Sequence, residues 1–187
     1  PPNILSRLKT MALLTKIPGA CSLLKRKARS NPAAGVQRSV PDPVLAKALL
    51  DHPVAGPLYQ LLQQSMFDQL GGRIIGTRND IQQLAGLPPL ALAGISAPML
   101  SIHGADDNIV APSHADRIVL AGARPVRLAG AGHIALFTHM DTVRKEVADF
   151  LRERVSTLRA AGVVDSRISL DPGFGFGKTP DHNLRLL

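Results

Sequence analysis

The chain has 187 residues, 45 % of them hydrophobic, with 15 Pro and 16 Gly dispersed along it, a composition that excludes a disordered or collagen-like protein. A single cysteine, Cys21, excludes an internal disulfide framework and a cysteine-based zinc site, and no apolar run approaches the roughly 18 to 20 residues of a membrane span. The net charge of +8 arises at one end: residues 1–40 hold Arg7, Lys9, Lys16, Lys25, Arg26, Lys27, Arg29 and Arg38 and no acid, while the remainder balances 14 basic against 14 acidic residues.

A basic segment of this kind reads first as a solvated helix face or part of a lid, and alternatively as an arm that meets anionic lipid or nucleic acid. With aromatics at 3 % and no Trp, a nucleic-acid surface built on stacking is not expected. The first residue is Pro1, which reads as a fragment or processed product; the alternative is Met11 as an internal start. The stretch after Met11 is too short in apolar residues, and too basic beyond them, for a secretory signal; a cytoplasmic location is expected.

Residues 1–30 alternate apolar and basic positions, which predicts one or two short amphipathic helices broken at Pro18-Gly19. Residues 31–43, with Asn31, Pro32, Gly35, Pro41, Asp42 and Pro43, read as a loop. Helical spacing resumes over 44–70, interrupted by Pro53, Gly56 and Pro57, and Gly71-Gly72 ends the region. A strand is expected at 98–102, a helix at about 113–121, a second strand at 126–128, and a longer helix from about 141 to 160, closed by Gly162. A third strand is expected at 167–170, before Asp171-Pro172 and the loop Gly173–Gly177, and a last helix starts near Asn183.

Two constellations carry chemistry. In the first, the order is strand, turn with Asp107, helix, strand, turn with His133, helix, which implies parallel strands. Loops at the carboxyl ends of such strands carry function in open α/β sheets. An Asp and a His on two neighbouring loops can meet, the Asp orienting the imidazole and the His serving as general base toward a nucleophile; the alternative is two unrelated turn residues. IHGADDNIVAPSHA and GAGHIALF resemble the HGxxDxxV and His-loop patterns of the α/β-hydrolase superfamily. The resemblance, good over about 73–150, selects Asp107 over Asp106 as the acid and His133 as its partner. It implies that 1–72 is the helical lid, and that RIIGTRNDI is the return from lid to sheet. The superfamily's GxSxG nucleophile elbow does not occur: Ser6, Ser22, Ser30, Ser39 and Ser65 lack the flanking glycines.

In the second, RISLDPGFGFGKTPDHNLRLL, an Asp at a strand end precedes a loop with alternating glycines. A carboxylate there can accept two parallel hydrogen bonds from an amino-heterocycle, glycines let the backbone approach a flat ligand, and two Phe can pack on a ring. The alternative is a structural turn. The run closely resembles dihydropteroate synthase, a TIM-barrel family of folate synthesis that condenses a pterin methyl diphosphate with p-aminobenzoate and releases diphosphate. The resemblance covers about 145–187. It implies that Asp171 binds the pterin ring and that Gly175 and Phe176 lie by the p-aminobenzoate. The synthases' metal loop, with the Mg it holds, and their later Lys, Arg and His have no counterpart here, so no cofactor or metal ligand is expected in this chain.

The expected architecture is therefore α/β: a partial α/β-hydrolase sheet with a helical lid, followed by one strand-helix unit of a pterin-binding TIM barrel. Its segments are a basic helical lid (1–72), a hydrolase-like core (73–150) and a synthase-like piece (151–187), joined near Arg144 to Arg154. The expected partners are small molecules, either pterin and p-aminobenzoate or an ester, with no nucleic acid. A fusion or truncated chain of weak or no activity by itself is expected, with a sheet edge exposed at strand 98–102.

Overall fold

The computed structural model describes residues 4–68, 70–88 and 91–171. The chain divides into two units, Pro1–Val143 and Arg144–Leu187. It is a mixed α/β, helix-rich structure whose described sheet has two parallel strands.

In the first unit, helices α1 (Ile4–Leu14) and α2 (Ala20–Ser30) break at Pro18-Gly19, as the spacing predicts. The stretch read as a loop holds a further helix, α3 (Pro32–Ser39). Asn31 caps it, its side chain accepting the Ala34 N–H at 3.0 Å, and Pro32 takes the first helical turn, where no N–H is needed. The same device opens α4 (Pro43–Asp51): Asp42 accepts the Val44 N–H at 2.8 Å and Pro43 follows. What looks like turn chemistry in Asn-Pro and Asp-Pro is helix-start chemistry.

The imidazole of His52 starts α5 (Ala55–Ser65). Its Nδ1 accepts from Val54 N at 3.1 Å and Ala55 N at 2.9 Å, leaving Nε2–H to face Asp141 Oδ2 at 3.2 Å. A core of Val36, Val40, Leu49, Tyr59 and Met140 joins these helices, and the Phe137 ring meets Tyr59 edge-on, with centroids 5.1 Å apart. Burial of such side chains is worth about 1.5–3 kcal/mol each.

RIIGTRNDI does not lead into a sheet. It lies within α6 (Leu70–Ala85), and Gly71-Gly72 sit inside that helix. Leu70 and Ile74, one turn apart, are its buried positions. The period of the apolar residues outweighs the glycines, each of which costs a helix about 1 kcal/mol.

Strand β1 (Leu100–Gly104) leads through α7 (Pro112–Leu120) to β2 (Arg124–Leu128). The strands pair in parallel from Leu100 opposite Arg124 to Gly104 opposite Leu128, and α7 packs on β1. Each strand has one partner among the described residues. Leu128, Ala131 and Val143 form a second core, flanked by Ile102 and Val126. A short helix, α8 (Ala135–Thr138), precedes α9 (Met140–Ala160), which runs into the second unit.

In the second unit, α9 ends at Gly162, whose φ of +83° suits glycine. Arg159 grips Asp165 with Nε and Nη2, at 2.7 and 2.8 Å, and this hydrogen-bonded pairing holds Asp165 below its ordinary pKa. The strand expected at 167–170 is absent. Asp165–Arg167 form a 3-10 turn, and 168–171 form no ladder. Ile168 has extended dihedrals of −102° and 120°, yet extended backbone becomes a strand only by pairing, and the described sheet contains β1 and β2 alone. The described residues of this unit thus form a helix and a turn. The loop Gly173–Gly177 and the helix start near Asn183 lie outside the described residues.

Gly104 closes the end of β1 against the loop after β2. A Cβ there would overlap the Ala131 carbonyl oxygen and come within 2.6 Å of Gly132 O. Replacing Gly104 with Ala is expected to cost about 1–3 kcal/mol. Gly94→Ala, where a Cβ meets nothing within 4 Å, is expected to stay within about 0.5 kcal/mol. Urea-unfolding midpoints of the two variants check this.

Candidate functional site

The turn after β1 is stitched to the loop after β2 by backbone. Ala105 N donates to Leu128 O at 2.9 Å and Asp106 N donates to Ala131 O at 2.9 Å. These two bonds set the turns side by side and bring together two side chains that are 26 residues apart in sequence: Asp107 Oδ2 lies 3.0 Å from His133 Nδ1.

The two aspartates of the turn differ sharply. Asp106 is exposed, whereas Asp107 is 7 % exposed. Asp107 Oδ1 accepts the N–H groups of Ile109 and Val110, both at 2.9 Å. Burial pushes the Asp107 pKa up, but the hydrogen bonds from Val110, His133 and Ile109 outweigh it, so the carboxyl sits below its usual value. The group is held as an anion despite its burial.

With Nδ1–H directed at Asp107, a neutral His133 ring keeps its basic lone pair on Nε2. The His133 side chain is 50 % exposed. It lines a cavity of about 950 Å³ together with Met11, Leu24, Tyr59, Phe67 and Asn108. One wall is helical, with Met11, Leu24 and Tyr59 beside the polar Thr10, Arg38 and Gln63; the other is made of the loops after β1 and β2. The arrangement can move a proton at His133 Nε2 while Asp107 stabilises the imidazolium.

Sequence reasoning missed His103. Its Nε2 donates to Val110 O at 3.0 Å and lies 3.7 Å from Asp107 Oδ2. The ring therefore braces the loop whose N–H groups hold Asp107. The signal was present, since His103 stands four residues before Asp107, but on a strand and turn that spacing does not announce a contact. The His52–Asp141 pair, 89 residues apart, had no sequence signal.

Asp171 lies in the second unit and is exposed. Gly175 and Phe176 lie outside the described residues. Among the described residues, no group of three or more His, Cys, Asp or Glu side chains could hold a metal ion. No helix among them is long and apolar enough to cross a membrane.

Comparison with known proteins gives the C-terminal part of the chain a kinship. The family described as pterin binding enzyme matches residues 114–187. A dihydropteroate synthase of Neisseria meningitidis is 52 % identical over 42 residues, which is 22 % of this chain and 15 % of that protein. One of Streptococcus pyogenes is 47 % identical over 45 residues, 24 % of this chain and 17 % of that protein. A polyketide synthase, ThaQ, of Burkholderia thailandensis is 33 % identical over 76 residues, 40 % of this chain and 4 % of that protein. The chain thus spans less than a fifth of the length of each of these relatives. No solved structure matches it. The family match begins earlier than the 145 expected from the motif and takes in most of α7, all of β2 and His133.

Asp107 carries a pH signature. Its folded-state pKa is depressed below the ordinary 3.8, so its stabilisation is complete above that value and is lost as pH falls through the lower folded value. Asp107→Asn, which cannot ionise, is expected to be less stable than the parent at neutral pH by about 1–3 kcal/mol. The difference should shrink as the pH is lowered below about 4. Chemical unfolding of both proteins across that range measures it.

Proposed function

We propose that the C-terminal segment binds a pterin as part of a dihydropteroate synthase-like activity, the condensation of a pterin methyl diphosphate with p-aminobenzoate. The observation that carries this reading is the run Asp171-Pro-Gly-Phe-Gly-Phe-Gly-Lys178, inside the 114–187 match to pterin binding enzymes. In this reading the Asp171 carboxylate accepts two N–H groups from the pterin ring, a charge-assisted, two-pronged contact that a neutral side chain cannot reproduce. Gly175 and Phe176 line the place of p-aminobenzoate, with the glycine admitting the ring and the Phe packing on it. Nitrogen of p-aminobenzoate attacks the pterin methylene carbon, the carbon–oxygen bond to diphosphate breaks, and the amine loses a proton.

Titration calorimetry with a pterin methyl diphosphate tests the reading. Binding is expected for the parent chain, and Asp171→Asn is expected to weaken it about tenfold to a hundredfold. Equal binding by both proteins would remove Asp171 from the site.

A second reading rests on a separate observation, the 3.0 Å approach of Asp107 to His133 beside the cavity. In it, His133 Nε2 is the general base of an α/β-hydrolase-like reaction on an ester, acting toward a GxSxG serine that these 187 residues do not contain, with Asp107 as the orienting acid and 1–72 as lid over a 73–150 core. Hydrolysis of p-nitrophenyl butyrate is the assay. Asp107→Asn and His133→Ala should each lower any turnover at least about a hundredfold and leave pterin binding unchanged, while Asp171→Asn should do the reverse. Insensitivity of both activities to all three changes would overturn both assignments.

A further inference from the structure

We infer that the α1–α2 hairpin is a docking surface for a bilayer of anionic lipid. The inference is independent of the pterin and ester readings. It rests on how the hairpin distributes its side chains.

The inner face of α2 repeats at one-turn spacing through Cys21, Leu24, Lys25 and Ala28, all half-buried, and the helix packs on α5. Two cations point inward: Lys25 reaches Asp68 at 2.5 Å and Arg29 Nε donates to Gln64 Oε1 at 2.8 Å. These contacts fix which side of α2 faces the protein, while α1 packs on α6.

The remaining side is basic and apolar together. Leu13, Ile17 and Leu23, around the turn, are 63, 52 and 67 % exposed. The exposed cations Lys9, Lys16, Arg26 and Lys27 accompany them, and none makes an ion pair among the described residues. The first acid in the chain is Asp42, so nothing nearby in sequence neutralises them.

Cations next to water-exposed leucine and isoleucine match a bilayer interface, where headgroup phosphates take the charge and the upper acyl region takes the apolar side chains. A nucleic acid would use the cations alone, and residues 1–58 contain no Phe, Tyr or Trp on which a base could stack. Each basic residue near an anionic leaflet raises partitioning roughly fivefold, so four such residues are enough for peripheral attachment without a spanning helix.

Co-sedimentation of the whole chain with phosphatidylcholine vesicles, with and without phosphatidylglycerol, tests the inference. Binding is expected to the anionic vesicles at low salt, falling at least tenfold without phosphatidylglycerol and again in high salt. The double variant Ile17→Asp, Leu23→Asp, at two exposed positions, should keep its circular dichroism and lose at least tenfold in partitioning; Lys16→Glu with Lys27→Glu should do the same. Failure to bind anionic vesicles would overturn the inference. So would vesicle binding that ignores the Asp substitutions and is abolished by competing duplex DNA, an outcome that assigns the surface to nucleic acid.

Discussion

The first unit's candidate site depends on a backbone seam: the end of β1 lies so close to the loop after β2 that only a glycine fits at 104. Two N–H groups of the first turn are satisfied by carbonyls of the second, Leu128 and Ala131. Buried backbone polar groups need such partners, and here the same bonds set the separation of Asp107 and His133. The side-chain pair is a consequence of the seam. Neither residue selects the other across 26 positions without it.

Holding a carboxylate at 7 % exposure requires compensation, since a buried charge without partners is strongly unfavourable. The chain supplies it locally. Ile109 and Val110 lie two and three residues beyond Asp107, and their N–H groups both reach Oδ1. His103 fastens Val110 from the other direction. His133 then needs to satisfy only Oδ2, and it does so while half its side chain stays open. A buried anion whose oxygens are all hydrogen-bonded within the fold thus faces an imidazole that lines a cavity.

Residues 114–187 carry the pterin-binding match, yet they also contain β2 and the His133 loop. One physical reason for such overlap is that the parallel strand–helix–strand unit belongs equally to open sheets and to closed barrels, and in both the loops at the carboxyl ends of strands carry chemistry. The unit itself does not choose between them. The hairpin adds a separate character. Met11 and Leu24 line the cavity, and the exposed Lys9, Lys16, Arg26 and Lys27 make no ion pair among the described residues.

Much of the local structure was legible in the amino-acid order. The break at Pro18-Gly19, the helices at α7 and α9, both strands, their parallel pairing and the stop at Gly162 all follow from periodicity and from glycine and proline chemistry, which act over a few residues. The α3 helix was not legible because Asn31-Pro32 serves turns and helix starts alike. Inside α6, packing of Leu70 and Ile74 overrode two glycines, and Ile168 stayed unpaired because no described strand lies against it. The type of chemistry available at Asp107, His133 and Asp171 was written in the residues themselves. Which aspartate of the 106–107 turn is buried, that His103 braces it, that His52 meets Asp141, and that His133 opens on a cavity were decided only by tertiary structure. These depend on distances between segments far apart in the chain, and such distances are set by packing and backbone seams rather than by any local pattern.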